Sequence, residues 1–445
     1  MKVIFNFTRS PPAPRRRCFP SLLGVGALLA ALLASGLASA EPQIVLPPAP
    51  DQPLPGIPRP SLLKLPRENQ VEVSLDQPAM ADSALGGYGE ITFNAPSNGP
   101  NVVDLRRLVL YVGHNFDSHF RFYGELEFEH AVSSANDKGE AEIEQAFLDW
   151  VKWRPFNLRA GVIIIPVGII NVYHEPPTFN GVDRPLTDQL IIPSTWREPG
   201  AGFFGEWRGF RYQAYAVNGF DASGFTASAG LRHGHQEASL ALGKDWGIVM
   251  RADYTLPFLL GHGVSADLGG SFYFADADQG QPQFGGAVPV TLCDADARVR
   301  THGVELRAEI ASVWIGGIHR LNRALAAAAA AMPGDPLGAF DGPVAHQLLG
   351  GYVELGYDVL HPLKLRAGRQ LVPFLRYEHV DTQFDVPADL GRAPGHRQDL
   401  IVAGLTFRPI EEIALKFDYQ HFWTDAASAA DASYDSYNAG VAFMF

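Results

Sequence analysis

From Gly86 to the C-terminus, apolar and polar positions alternate in short runs. Along residues 120–128, Phe122, Leu126 and Phe128 share one side, and Arg121, Tyr123, Glu125 and Glu127 share the other. Along residues 264–274, Val264, Ala266, Leu268, Phe272 and Phe274 oppose Ser265, Asp267 and Ser271. Val304, Leu306, Ala308 and Ile310 alternate with Glu305, Arg307 and Glu309, and Leu415, Phe417 and Tyr419 with Lys416, Asp418 and Gln420. Side chains of a strand point to opposite faces in turn, so each run reads as a strand with one apolar and one charged face. The pattern predicts sixteen strands, near 87–95, 103–114, 119–130, 141–152, 158–165, 200–208, 210–218, 243–255, 263–275, 300–309, 313–320, 347–359, 370–380, 398–408, 412–423 and 435–445. The tenth and eleventh are crowded, because residues 304–319 must hold most of both. After residue 85 no run approaches the roughly 18 apolar residues of a helical membrane span.

Period alone fits a soluble sandwich, whose apolar face is its core, as well as a membrane barrel, whose apolar face meets lipid. Three features favour the barrel. The N-terminus reads as an export signal: Arg15, Arg16 and Arg17, an apolar run at 22–37, then Ala38-Ser39-Ala40, with cleavage expected after Ala40. A membrane anchor is the alternative, but the run is shorter than the roughly 20 residues that span a bilayer. Short turns alternate with long connections, as outer-membrane barrels require. The last strand alternates to a terminal aromatic, with Tyr437, Val441, Phe443 and Phe445 on one phase as a candidate assembly signal.

The expected fold is therefore all-β, a transmembrane antiparallel β-barrel of about 16 strands with an inward-folded third extracellular loop. Closure satisfies the edge donors and acceptors that lipid cannot, and a sheet of this size leaves an aqueous lumen. The expected organisation is a signal peptide over 1–40, a Pro-rich periplasmic leader over 41–85 and the barrel over 86–445, both barrel termini periplasmic. Nine prolines between residues 41 and 66 make the leader a semi-rigid tether. Trp150, Trp153, Trp207, Tyr254, Phe407 and Trp423 recur near strand ends, as interfacial girdles do.

Composition narrows the picture. The chain of 445 residues carries 35 Lys and Arg against 48 Asp and Glu, a net −13, and losing the five cations of the signal leaves −18. A nucleic-acid partner is not expected. Cys18 leaves with the signal, so Cys293 stands alone and no internal disulfide is available.

The third loop, residues 167–198, is too long for a simple connection and too apolar for disorder, with Ile169, Ile170, Val172, Phe179, Leu190, Ile191, Ile192 and Trp196. It is expected to fold inward and narrow the lumen, the alternative being a surface loop over the mouth or against a neighbouring protomer. Its acids Glu175, Asp183, Asp188 and Glu198 outnumber Arg184 and Arg197. Along the wall the inward phase carries Arg107, Arg121, Arg159, Arg211 and Arg251, with acids at Glu125, Glu127, Asp267, Glu305, Glu309, Glu354, Asp358 and Glu378. Either basic and acidic arcs set up a transverse field, or the charges bridge across strands. Ala326 to Ala331 mark a loop helix from about Asn322, stopped by Pro333-Gly334. His233 and His235 lack a third ligand, so neither a metal nor another cofactor is expected.

Gly87-Tyr88-Gly89-Glu90, the strand from Phe122 to Glu129, Phe147-Leu148-Asp149-Trp150 with Arg159-Ala160-Gly161, and the strand from Gly351 to Asp358 with its aromatic C-terminus together resemble the phosphate-selective porin O and porin P family of Gram-negative outer membranes. The resemblance spans about residues 86–445. It implies a sixteen-stranded homotrimeric channel for ions, phosphate and other anions among them, and for small hydrophilic solutes. It also implies outer-membrane lipid and the barrel assembly machinery as partners. The family's arginine ladder has no position-by-position match here, and the third loop is net acidic. No nucleophile motif such as G-x-S-x-G appears, so an enzyme is not expected. The alternative function is a non-conducting outer-membrane barrel used for adhesion or envelope anchoring.

Overall fold

The computed structural model describes residues 83–133, 139–256, 263–331, 340–363 and 369–445. Its strands are β1 (Ser83–Pro96), β2 (Val102–Asn115), β3 (Phe120–Glu129), β4 (Ala141–Trp153), β5 (Phe156–Ile164), β6 (Arg197–Trp207), β7 (Phe210–Asn218) and β8 (Trp246–Thr255). The second half holds β9 (Val264–Asp276), β10 (Pro289–Thr301), β11 (Val304–Ile315), β12 (Gln347–Tyr357), β13 (Gln370–Asp385), β14 (Arg397–Ile410), β15 (Ile413–Thr424) and β16 (Ser433–Met444). Each strand pairs with its sequence neighbours, and β16 pairs with β1, so the sheet is a closed sixteen-stranded barrel. The seam runs past the last strand: Phe445 N donates to Gly87 O at 2.8 Å and Gly87 N to Phe445 O at 2.9 Å.

The barrel is apolar outside and charged inside. Leu148, Leu158, Ile248, Met250, Leu375, Leu405 and Phe417 are exposed on the outward phase, whereas Glu127, Arg307, Arg376, Glu378 and Asp418 are buried on the inward one. A soluble sandwich would reverse this, so burial decides what periodicity could not. Aromatics gather where the short turns lie: Trp150 packs edge-on to Trp153, and Phe156 stacks on Phe203 and Phe210 on Tyr254.

Strands β10 and β11 depart from the expected 300–309 and 313–320. β10 begins at Pro289 and turns at His302-Gly303 into β11. Its outward phase is Thr291, Cys293, Ala295 and Ala297, too small to signal an apolar face, while Asp294, Asp296, Arg298 and Arg300 occupy the other. The hairpin is a two-residue turn with φ of 47° at His302 and 85° at Gly303, the paired positive values that match strand twist. Arg208 and Gly209 repeat it at 50° and 85°. Smaller differences are that β1 starts at Ser83, β6 starts at Arg197, and the loop helix α1 runs over Ile318–Ala331. Asp358 lies past β12 and accepts from Leu360 N and Leu371 N, so it shapes a turn rather than the wall. The export signal, the leader as far as residue 82, the 257–262 connection and the Pro333-Gly334 stop lie outside the described residues.

The apolar core lies within the lumen. Ile163, Val217, Tyr273, Val290, Leu292, Val313 and Ile315 from the wall join Ile191, Ile192 and Trp196 of the third loop in one buried cluster. Phe220, Phe225 and Leu231 after β7, Phe284 and Val288 after β9, and Leu321 of α1 complete it. Trp196 stacks on Phe220 with ring centres 4.7 Å apart and meets Tyr273 edge-on at 4.8 Å. Part of the lumen at the long-loop end is thus filled by a dry core.

Candidate functional site: the pore interior

The segment between β5 and β6 folds into the barrel, and one side chain closes its neck. Asn171 Nδ2 donates to Ile165 O at 2.8 Å and Trp196 O at 3.3 Å, and Asn171 Oδ1 accepts from Trp196 N at 2.9 Å. From that neck the loop reaches the far wall. Backbone inside a barrel needs partners for its donors and acceptors, and the wall charges provide them. Val182 N donates to Asp418 Oδ2 at 2.6 Å, Leu186 N to Glu378 Oε2 at 2.5 Å, and Asn180 Nδ2 to Glu354 Oε1 at 3.0 Å. Arginines take the carbonyls: Arg307 donates to Thr178 O at 2.9 Å and Arg408 to Pro177 O at 3.1 Å. Arg376 bridges Glu354 at 3.1 Å and Glu378 at 2.6 Å while reaching the carbonyls of Asn180 and Asp183.

Two β-bulges aim further side chains at the loop. On β2 the register skips Arg106, since Glu90 pairs with Arg107 and Ile91 with Leu105. On β4 it skips Glu144, since Glu125 pairs with Gln145 and Leu126 with Ile143. An extra residue lets two consecutive side chains turn toward one face. Arg106 thereby reaches Asp183 of the loop at 2.7 Å, and Glu144 approaches His174 of the loop at 3.4 Å.

The candidate residues separate into three groups. Arg159, Arg211 and Arg251 converge on a crevice shared with Tyr173, Glu206 and Asp253. Each has acid partners: Arg159 Nε is 2.8 Å from Asp149, Arg211 is 4.0 Å from Asp267, and Arg251 is 2.7 Å from Asp253 and 2.8 Å from Asp296. Arg184 lies in the loop, Arg197 at its end where β6 begins, and Arg107 on the wall beside Arg184. Arg107 lies between Glu90 at 3.3 Å and Glu127 at 3.5 Å, Arg184 donates to Thr195 Oγ1 at 2.9 Å, and Arg197 meets Glu142 at 2.5 Å. Arg121 stands apart on β3, in register with Asp149. Basic and acidic side chains interleave around the wall; they do not segregate into opposite arcs.

The acids of the loop differ in surroundings. Asp183 is held by Arg106, Asn94 and Gln420. Glu175 has one buried oxygen without a hydrogen-bond partner among the described residues, and Asp188 has two. Burial pushes the Asp188 carboxyl well above its usual range, aided by the nearby charges of Asp294 and Glu378 and opposed by Arg184. Burial, with the neighbouring charge of Arg107, brings Arg184 down to about 10. His235 pairs with Glu237 at 3.0 Å while His233 is exposed, so the two do not converge. Sequence reasoning missed Arg106, Glu144, Arg376 and Arg408. Alternation along Arg376-Tyr377-Glu378 could have marked Arg376, but a bulge leaves no trace in a period-two pattern.

A closed sixteen-stranded barrel holding its third loop inside defines the porin-type fold, and solved structures agree. OmpF of Salmonella typhi, determined in complex with daunomycin, superimposes with a TM-score of 0.51 at 12% identity, over 82% of this chain and 97% of that one. The anion-selective porin from Comamonas acidovorans gives 0.50 at 12% identity, over 82% and 99%. No family model matches the chain. It belongs to the same family as an uncharacterized protein of Aquifex aeolicus (strain VF5), being 32% identical over 367 residues that cover 81% of this chain and 80% of the relative.

Proposed function

We propose that the protein is an outer-membrane porin of a Gram-negative envelope, a passive channel for ions and small hydrophilic solutes. The observation that carries this reading is the inverted barrel, apolar outward and charged inward, with a long loop pinned across its lumen. Such a surface suits lipid and such an interior suits water and ions. Diffusion through it requires no cofactor and no chemical step. Assembly as a homotrimer, and recognition of the outward Tyr437, Val441, Phe443 and Phe445 phase by the barrel assembly machinery, belong to the same proposal.

For selectivity we favour cations. The arginine-lined crevice and the family resemblance support phosphate or another anion, but Arg159, Arg211 and Arg251 are already engaged by acids. Asp188, by contrast, offers two oxygens without hydrogen-bond partners among the described residues. A second reading, a non-conducting barrel for adhesion or anchoring, draws support from the dry cluster filling part of the lumen. Reconstitution into a planar bilayer under a salt gradient separates these readings. Conductance steps are expected, with a reversal potential that turns cation-directed once pH exceeds the raised range of Asp188. An anion-directed potential would assign control to the crevice arginines, and silence from a folded barrel would favour anchoring.

A further inference from the structure

The bulge on β4 places Glu144 where a regular strand would not, and three groups meet around it. Its side chain is fully enclosed. The Tyr88 hydroxyl on β1 donates to Glu144 Oε2 at 2.9 Å, and the Tyr88 hydroxyl oxygen lies 2.8 Å from His174 Nε2. His174 Nε2 is 3.4 Å from Glu144 Oε1, which has no hydrogen-bond partner among the described residues. Glu125 on β3 completes a triangle, with one ligand atom each from Glu125, Glu144 and His174 all within 4.8 Å of one another. All three are nearly inaccessible, at 4%, 0% and 2% exposure.

The hydrogen bonds prepare His174 as a ligand. Its Nδ1 is 3.2 Å from the carbonyl oxygen of Asn171, which can only accept. Nδ1 is therefore a donor, which leaves Nε2, 2.8 Å from the Tyr88 hydroxyl and 3.4 Å from Glu144 Oε1, as the nitrogen able to ligate a metal. A backbone carbonyl on the far nitrogen is the usual partner that orients a metal-bound imidazole. Glu125 is likewise held, by Tyr123 at 2.7 Å and Gln145 at 2.7 Å. Acids crowd the same place: Glu125, Glu127 and Glu144 surround Tyr88, and Arg107 lies between Glu90 and Glu127.

We propose that Glu125, Glu144 and His174 bind a divalent first-row transition metal of the Zn2+ type, which fastens the third loop to the barrel wall. One imidazole nitrogen with carboxylate oxygens suits Zn2+, whereas Ca2+ and Mg2+ take oxygen ligands. His174 lies just beyond Asn171, which closes the neck of the loop, so the metal would add a second anchor on the β1, β3 and β4 side. The opposite side is held by Asp418 and Glu378. Because the site is enclosed, metal enters while the barrel folds. Metal content reads this inference, so it stands or falls separately from conduction.

The test folds the purified full-length protein with and without Zn2+, removes unbound metal by gel filtration and measures zinc per chain. One equivalent is expected, with X-ray absorption showing imidazole scattering, Zn–N near about 2.0–2.1 Å and Zn–O near about 2.0–2.2 Å. His174→Gln and Glu144→Gln should each lose the equivalent while keeping the heat-sensitive gel mobility of a folded barrel. Tyr88→Phe should retain zinc with affinity weakened about 10- to 100-fold. Folded wild-type protein without zinc overturns the site. Retention of zinc in both ligand variants, or a spectrum without imidazole scattering, overturns it as well, the latter even if those variants misfold.

Discussion

Arg376 on β13 shows how a single residue holds the pore interior together. It is 1% exposed, bridges Glu354 and Glu378, and donates to two carbonyls of the third loop. Replacing it by Met would leave two enclosed carboxylates without their cation, a defect of about 3–5 kcal/mol. Arg376→Met should therefore lower the midpoint of denaturant unfolding and loosen the loop, which conductance noise would reveal. Asp188 is a residue of the loop whose charge answers to pH. Because burial and neighbouring acids raise its pKa, it stays neutral through the usual carboxylate range and becomes negative as pH rises above it. Cation permeability should rise across that interval, and Asp188→Asn should reduce the rise. Reversal potentials over a pH series check both.

At the scale of elements, the third loop behaves as a folded unit. Trp196 is fully enclosed between Phe220 and Tyr273, and the residues around it come from three connections and α1. Trp196→Ala should cost about 3–5 kcal/mol through lost burial and a cavity. Because the cavity opens inside the lumen, single-channel conductance should increase while the barrel remains closed. The inward fold of this loop was legible from its length and apolar content. Its attachments were not, because Val182 meets Asp418 and Leu186 meets Glu378 only once the barrel brings distant strands together. The bulges at Arg106 and Glu144 were hidden for a related reason: an extra residue shifts the phase of alternation without changing residue type.

For the molecule as a whole, the barrel presents an apolar outer wall on an unbroken sheet. Met250, midway along β8 and exposed outward, is a sensitive position. Met250→Arg should destabilise the barrel by about 2–4 kcal/mol if it lies at the bilayer midplane, and less nearer an interface. Unfolding in vesicles of defined thickness measures it. Phe445→Ala should lower the yield of folded barrel, because the last residue closes the seam with Gly87 and presents an outward aromatic. Strand number and most strand positions followed from the sequence, since alternation is a local property that each segment carries on its own. β10 escaped because its outward residues are small, and a strand recognised by an apolar face needs large ones. Which face turns outward and what the loops bury were decided only by the tertiary structure. Ring formation sets Asn94 beside Asn438, and the inward loop sets Phe179 under Lys416, contacts between residues far apart in the chain that no local pattern encodes.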